Sequence, residues 1–481
     1  MTISSALTNA MTGLRAAGRN SQTISANIAN AMTPGYGVRS VDLTSSQLGG
    51  VRIDGITRNV NPALLVDRGL AEAAFNNASD RTQFLKSYED FLGIPDDPNS
   101  LSARIAQFES SLVTATSRPD APERLDASVN AARDLATLIS SASRDIQEAR
   151  SDADRSIDFQ VKKLNSSLNS VQELNRQITK TAALGGDTSA LQDNRQALVD
   201  EISAMVPVRQ VPRENGQIAL YSTGGAILLD GGVAEIEFSA VNQVTPYMTL
   251  GGGMLSGLTV NGYPVQTDSA RGALGGGSLG AQFEIRDELG VEAQTQLDAL
   301  TRDLIERFQD PAVDPTLAVG DAGIFTDSGI AFDPVNEVGI SERLSINAAI
   351  DDRQGGESWR LRDGINAAVQ GDVGDSRLLQ ALSETLTARR VPASGDFGSG
   401  AFSAINLAST LTSQLGADRA QAEQTQTFTS TQFNELTQLV LAEGVDTDQE
   451  LQKLLLVEQT YAANARMIEA ADEMMQTILR L

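Results

Sequence analysis

The 481-residue sequence has no cysteine and no histidine. Those two absences exclude disulfides, thiolate nucleophiles, zinc fingers, Ser-His-Asp triads and imidazole acid–base chemistry together. Aromatic residues make up only 4% of the chain, with a single tryptophan, Trp359, read as a core or edge residue. Any core must therefore be built from Ala, Leu, Ile and Val, which the 41% hydrophobic content permits. Basic residues are scarce: 37 Lys and Arg stand against 62 Asp and Glu, a net charge of −25. Neither a nucleic-acid partner nor an anionic membrane surface suits that balance. No apolar run approaches the ~18 residues of a transmembrane helix, and the N-terminus lacks the basic, apolar and small-residue succession of a cleaved signal. The expectation is a cytoplasmic protein, or one that leaves the cell by a route that reads something else.

Both ends carry a heptad pattern. Ile3, Leu7, Ala10, Leu14, Ala17, Ile24 and Ile28 alternate at spacings of four and three, with Ser21 in the one polar gap. Leu454, Val457, Tyr461, Ile468, Ala471, Met475 and Ile478 repeat the design, with Asn464 as the polar exception. Such seams pack against another helix. Pro34-Gly35 ends the first helix. Thr447 and Glu450 have capping-box spacing, so the last helix is predicted to start near Thr447. The other faces of both terminal helices read as polar. An uncovered apolar stripe of this length is an interaction surface, so each end covers the other or is covered by other subunits. The bland alternative is an internal helix bundle.

The middle is nested between these ends. A helical pattern runs from Val129 to Ile178, with a four-residue stutter between Ala153 and Ile157. Thr188–Val206 is helical and ends at Pro207. Residues 208–280 change to short apolar runs between glycine-rich turns, such as 218–221 and 226–229, and read as a small antiparallel β domain. The helical period returns over 279–308 and 406–443. Residues 311–345 are rich in Pro, Gly and Asp, with a short strand expected at 329–332, and 346–398 are mixed. The fold class is α+β and multidomain: terminal coiled-coil helices, a long helical bundle and an inserted antiparallel β domain. The expected divisions are 1–40 with 445–481 as the terminal domain, 41–206 with 281–310 and 399–444 as the helical domain, 207–280 as the β domain, and 311–398 as a mixed insertion.

No motif carries catalysis. Gly275–Gly280 satisfies G-x-G-x-x-G, but residues 268–272 before it do not make the buried strand a dinucleotide site needs, so it reads as a flexible junction. Asp446, Asp448 and Glu450 suit the positive end of a helix better than a calcium loop. Glu89, Asp96 and Asp97 sit in a proline-flanked turn without an aromatic platform, which suits a solvated turn rather than glycosidic chemistry. No catalytic, cofactor-binding or metal site is predicted.

The segment Ser25-Ala26-Asn27-Ile28-Ala29-Asn30-Ala31-Met32-Thr33-Pro34-Gly35-Tyr36 resembles the N-terminal signature of the bacterial flagellar axial proteins, which comprise rod, hook and hook-associated proteins. Glu458–Arg466 with Ile468 and Ala471–Met474 resembles their C-terminal counterpart. Leu191–Ile202 and Gly277–Asp287 are similar to segments of the hook-associated branch. Gly37 is expected to loosen the turn at Tyr36.

The resemblance implies a structural component of the flagellum, not an enzyme, at the hook–filament junction outside the cell. It also implies export by the flagellar type III route. Implied partners are further copies of the chain, the hook protein, the next hook-associated protein or filament, and an export chaperone. The terminal helices are expected to be unstructured until assembly. The expected assembly contacts are Leu7, Leu14, Ile24, Ile28, Val457, Tyr461, Ile468 and Met475. Asn27 and Asn30 either set helix register or cap locally. Two other readings stay open: another axial protein such as the hook, favoured if 129–204 were β-rich, and a flagellum-associated peptidoglycan hydrolase, for which no residue pair stands out.

Overall fold

The computed structural model describes residues 3–480 apart from 34, 48, 95–96 and 268–271. The first half runs α1 (Ile3–Ala29), β1 (Val38–Ser45), β2 (Val51–Asn59), α2 (Pro62–Leu92), α3 (Leu101–Ser117), α4 (Pro122–Ala183) and α5 (Ser189–Met205). Seven short strands follow: β3 (Val208–Pro212), β4 (Ile218–Ser222), β5 (Ile227–Asp230), β6 (Gly232–Val233), β7 (Ile236–Glu237), β8 (Leu258–Val260) and β9 (Tyr263–Val265). The remainder is α6 (Ser278–Glu284), α7 (Gly290–Phe308), β10 (Phe325–Asp327), α8 (Ile340–Arg343), β11 (Leu344–Ile346), α9 (Arg360–Asp363), α10 (Arg377–Thr387), α11 (Ala404–Ala442) and α12 (Thr447–Leu479).

Local chemistry sets the helix boundaries. Asn61 accepts from the Leu64 N–H ahead of Pro62, and Ser100 and Ser403 cap α3 and α11 in the same way. The capping box expected at Thr447 is replaced by Asp446, whose carboxylate accepts from the Asp448 and Gln449 N–H groups at 3.0 Å. Glu450 is thereby free for another use.

The spine is α4. Its 62 residues make a rod of about 93 Å, longer at both ends than the periodicity suggested. Its buried stripe feeds two cores in succession. Residues from Leu125 to Ala153 pack with α3, α7, α10, α11 and the 311–398 segment, where Phe108 meets the rings of Phe308 and Phe325 at 5.8 and 5.7 Å. Residues from Ile157 to Val171 pack with α5, α6 and the sheet β3-β4-β5-β6. The stutter thus marks where one core hands over to the next. Asp154 sits there, fully buried, and pairs with Arg286 at 2.8 Å while accepting the Val241 and Asn242 N–H groups. Arg286 lies between the rings of Phe238 and Phe283.

The β region consists of two antiparallel sheets, β3-β4-β5-β6 and β7-β8-β9. Three expectations differ from the structure. Residues 41–59, grouped with the helices, belong to the β1–β2 hairpin. The strand expected at 329–332 is reduced to a single bridge between Asp327 and Ile330, and the pairing falls instead to β10 and β11. The glycine run before α6 is a tight junction, not a flexible one. A Cβ on Gly277 would lie 2.3 Å from the Met205 carbonyl oxygen, and Asn77 donates to the Gly277 carbonyl. The space a pyrophosphate would need is filled by backbone. Residues 268–271 lie outside the described set.

Trp359 is half-buried against the first core, with the Arg360 guanidinium over its ring. Glu89 pairs with Arg419, and Asp97 accepts the Asn99 N–H in a turn; Asp96 lies outside the described residues.

Candidate assembly interface

α1 and α12 lie side by side and antiparallel. Gly13 stands opposite Asn464, so close that a Cβ on Gly13 would come within 2.8 Å of the asparagine side chain. The polar exception in the C-terminal seam thus marks the closest approach of the two helices. In the last turn of α1, Asn27 meets Glu450 in the first turn of α12. The ends of the chain are therefore two paired helices here, not the unstructured segments expected, because the two seams cover each other along part of their length.

The pair is fastened to the body at Asn27, which is fully buried. Its amide donates to the Glu450 carboxylate and to the Arg39 carbonyl, both at 2.9 Å. Its oxygen accepts from the Tyr36 hydroxyl at 2.9 Å and the Arg39 N–H at 3.1 Å. Arg39 covers the Tyr36 ring and pairs with Asp193 of α5 at 2.8 Å. Asp193 also takes the Arg58 guanidinium at 2.5 Å and the Gly37 N–H at 3.1 Å. Burial pushes the Tyr36 phenol above its ordinary pKa, with the Arg39 cation pulling the other way.

Of the two readings of the asparagines, Asn27 joins distant elements, while Asn30 bonds locally to the Ala26 carbonyl and Thr33. Gly37 tightens the turn rather than loosening it. It is buried, and a Cβ there would strike the Arg58 side chain at 2.5 Å. Pro34 lies outside the described residues. Sequence reasoning missed Tyr36, Arg39, Arg58, Asp193 and Glu450 as a unit. The available signal was that Tyr36 and Asp193 each fall inside a recognised segment.

The expected contact residues fall into three groups. Ile24 is buried. Leu7, Leu14, Ile28, Val457 and Ile468 are half-buried along the α1–α12 seam. Tyr461 and Met475 remain 51% and 41% exposed. The other faces of α12 are not polar as read: Leu451, Leu455, Leu456, Met467 and Met474 are all exposed there. Among the described residues, α1 has a second cover that α12 lacks. The β1–β2 hairpin runs along it, with Thr12 accepting the Val51 N–H.

Where α2, α11 and the hairpin meet the base of the pair, Val60, Leu64, Leu65, Val440 and Val445 line a cleft of about 270 Å³. Among the described residues no cluster of acidic side chains has a metal-holding arrangement, and no helix is long and apolar enough to cross a membrane. The stretch 129–204, whose β content would have favoured the hook reading, is helical apart from a short turn.

Comparison with known proteins finds similarity to flagellar hook-associated proteins. A family model described as the flagellar hook-associated protein FlgK helical domain matches residues 85–311, and one described as the flagellar basal body rod FlgEFG protein C-terminal region matches 439–481. The chain is 22% identical over 491 aligned positions to flagellar hook-associated protein 1 of Bacillus subtilis, covering 95% of this chain and 94% of the relative. It is 23% identical to flagellar hook-associated protein 1 of Escherichia coli over 100% of both. A solved structure of the flagellar hook junction protein FlgK from Burkholderia pseudomallei aligns with 55% of this chain and 47% of that one at 18% identity and a TM-score of 0.45.

Proposed function

This chain belongs to the family of flagellar hook-associated protein 1, and from that premise we propose that it joins hook to filament as a structural subunit exported through the flagellar type III route. The observation that carries the reading is the incomplete cover of α12. α1 takes one of its faces, and large apolar side chains on the others stay in solvent. Exposed apolar surface on this scale is buried by association. Further copies of the chain, the hook protein below and the next hook-associated protein or filament above supply the cover. Of the contact residues, Tyr461 and Met475 are the ones still accessible for intersubunit packing, while Ile24 and its neighbours build the pair that presents them.

Threading suits the chain, which has no disulfide to obstruct a narrow channel. An export chaperone would hold the same apolar faces before assembly. The net charge of −25 discourages premature self-association.

The test is to delete residues 1–30 or 451–481 separately. Each truncated chain is expected to keep a soluble folded centre and to prevent filament growth. Filaments on cells carrying either deletion would show that the terminal pair is not the assembly element.

A further inference from the structure

Between Ile146 and Ile157 the buried face of α4 changes character. Gln147, Arg150, Ser151 and Asp154 are buried there, with Ala153 the one buried aliphatic residue among them. The first core ends at this level and the second begins. The neighbouring helix is irregular at the same height. α6 and α7 form one continuous run whose joint is a π turn, Ile285–Leu289. Gly290 follows it, and a Cβ there would lie 2.5 Å from the Arg150 side chain. Helices bend at π turns, and a stutter changes the local winding. Two helices shared by both cores thus carry their irregular steps side by side, where hydrogen bonds replace apolar packing.

A third segment crosses this level. β7 and β8 are antiparallel neighbours, yet residues 238–257 lie between them, where a hairpin connection needs about 2–5 residues. Connections this long without secondary structure of their own are usually functional. The strap leaves the second core at Ile236 and returns to it at Leu258. In between, α4 holds its backbone. Asp154 accepts the Val241 and Asn242 N–H groups, and Ser151 accepts that of Val244 at 2.9 Å. Arg150, fully buried, donates to the Thr245 and Met248 carbonyls of the strap. The same guanidinium donates to the Gln147 side chain and, at 2.7 Å, to the Arg286 carbonyl in the π turn. On the outer side the Tyr247 hydroxyl accepts from Arg343, and a Cβ on Gly339 would lie 3.1 Å from the Pro246 ring. Gly339 and Arg343 flank Ile340, a residue of the first core.

We propose that residues 238–257 are a splint. The strap is rooted in the second core and fastened to the first, and it locks a level at which the rod would otherwise bend. Arg150 is its pin, because one side chain on α4 bonds both the strap and the π turn. Hydrogen bonds suit this task because they fix direction as well as distance. With the strap released, the β region swings against the helical bundle about residues 150–157 and 285–289. The splint belongs to the single chain, so it holds or fails independently of the assembly role.

The absence of cysteine makes the test clean. Ser110→Cys in α3 and Arg209→Cys in β3, both exposed, carry spin labels on the full chain, one on each core. The distance distribution between them, read by pulsed electron resonance, is expected to be narrow and single in the otherwise unchanged protein. Arg150→Met is expected to broaden it and add a second maximum. Ser151→Ala with Tyr247→Ala removes one inner and one outer bond of the strap and covers the case in which Arg150→Met does not fold. It is expected to broaden the distribution in the same direction by a smaller amount. Hydrogen exchange of α3 amides separates a bend from general loosening, and their protection is expected to be unchanged. A broad distribution before any strap bond is removed, or a narrow one in a folded strap variant, would overturn the splint. Broadening that comes only with lost protection in α3 would overturn it too.

Discussion

Asn27 donates its side-chain amide to the Glu450 carboxylate at 2.9 Å, out of contact with solvent and across 423 residues of sequence. Three further hydrogen bonds on the same amide group reach Tyr36 and both backbone groups of Arg39. One side chain thus ties the first helix, the last helix and the hairpin, and Asp193 ties the hairpin to the body.

Asn27→Ala leaves the buried Glu450 carboxylate, among the described residues, with Lys453 as its remaining hydrogen-bond partner. A buried charged acceptor that loses its partner costs about 2 kcal/mol, or roughly thirty-fold in a local opening equilibrium. Hydrogen exchange of α12 amides is expected to quicken by about that factor while α4 amides keep their protection. Unchanged exchange along α12 would mean that Asn27 is not what holds the pair to the body.

The clamp should also respond to alkali. The folded pKa of Tyr36 is raised, so its contribution is fully present below the ordinary phenol value of about 10 and is lost as pH rises through the folded value. Ionised Tyr36 has no proton to give Asn27 and sits near Asp193 and Glu450. Proteolytic nicking near the base of α12 is expected to increase across that range. Tyr36→Phe should already be nicked faster at neutral pH and should lose this part of the alkaline dependence. Identical pH profiles for the two chains would remove Tyr36 from the clamp.

Much of the helical part was legible because its signal is periodic. The terminal seams, the stripe of α4 and the helices α5 and α11 each bury one face, and a buried face writes itself into the sequence at 3.5- to 3.6-residue spacing. The hairpin escaped because no residue of β1 or β2 is buried, so apolar and polar positions have no reason to alternate. The 311–398 segment escaped for a different reason. Its buried apolar residues are spread over short elements, and side-chain-to-backbone bonds hold the turns between them, as where Asp298 takes the Gly339 and Ser341 N–H groups and Asp314 takes those of Thr316 and Ile365. Such bonds leave no period. The clamp needed knowledge of which distant segments meet, and neither propensity nor spacing reports that. The apolar residues that α12 leaves in solvent beside its α1 face were readable too, with Leu456, Met467 and Met474 in plain view.

The handover between the two cores gives a sharper stability test. Arg286 and Asp154 are both at 0% side-chain exposure, and Arg286 also bonds Asp287 and the Ser256 carbonyl. Removing Asp154 leaves the buried Arg286 with Asp287 as its one carboxylate partner among the described residues, and costs about 3 kcal/mol, the low end for a broken buried pair. Asp154→Ala is expected to lose that much in denaturant unfolding. Asp154→Leu with Arg286→Met and Asp287→Asn should recover part of it, with the Val241 and Asn242 N–H groups still unpaired. A triple variant as unstable as the single would show that the ion pairs themselves, rather than a stranded charge, carry the stability.

Phe108 supplies the contrasting case. It is fully buried and packs against Phe308 and Phe325, themselves 5.6 Å apart, so three elements from distant sequence converge on one ring. Phe108→Ala removes that ring from a closed apolar site and is expected to cost about 3–5 kcal/mol, because the neighbours can collapse only in part. The loss should appear in the core that includes α3, α7 and the 311–398 segment. The second core, along 157–171 of α4, shares no buried side chain with Phe108. A chain with two such cores need not unfold in one step. Hydrogen exchange is therefore expected to rise in α3 and α7 of Phe108→Ala well before it rises in β4 and β5. Equal acceleration in all four would mean that the rod of α4 couples the two cores into one cooperative unit.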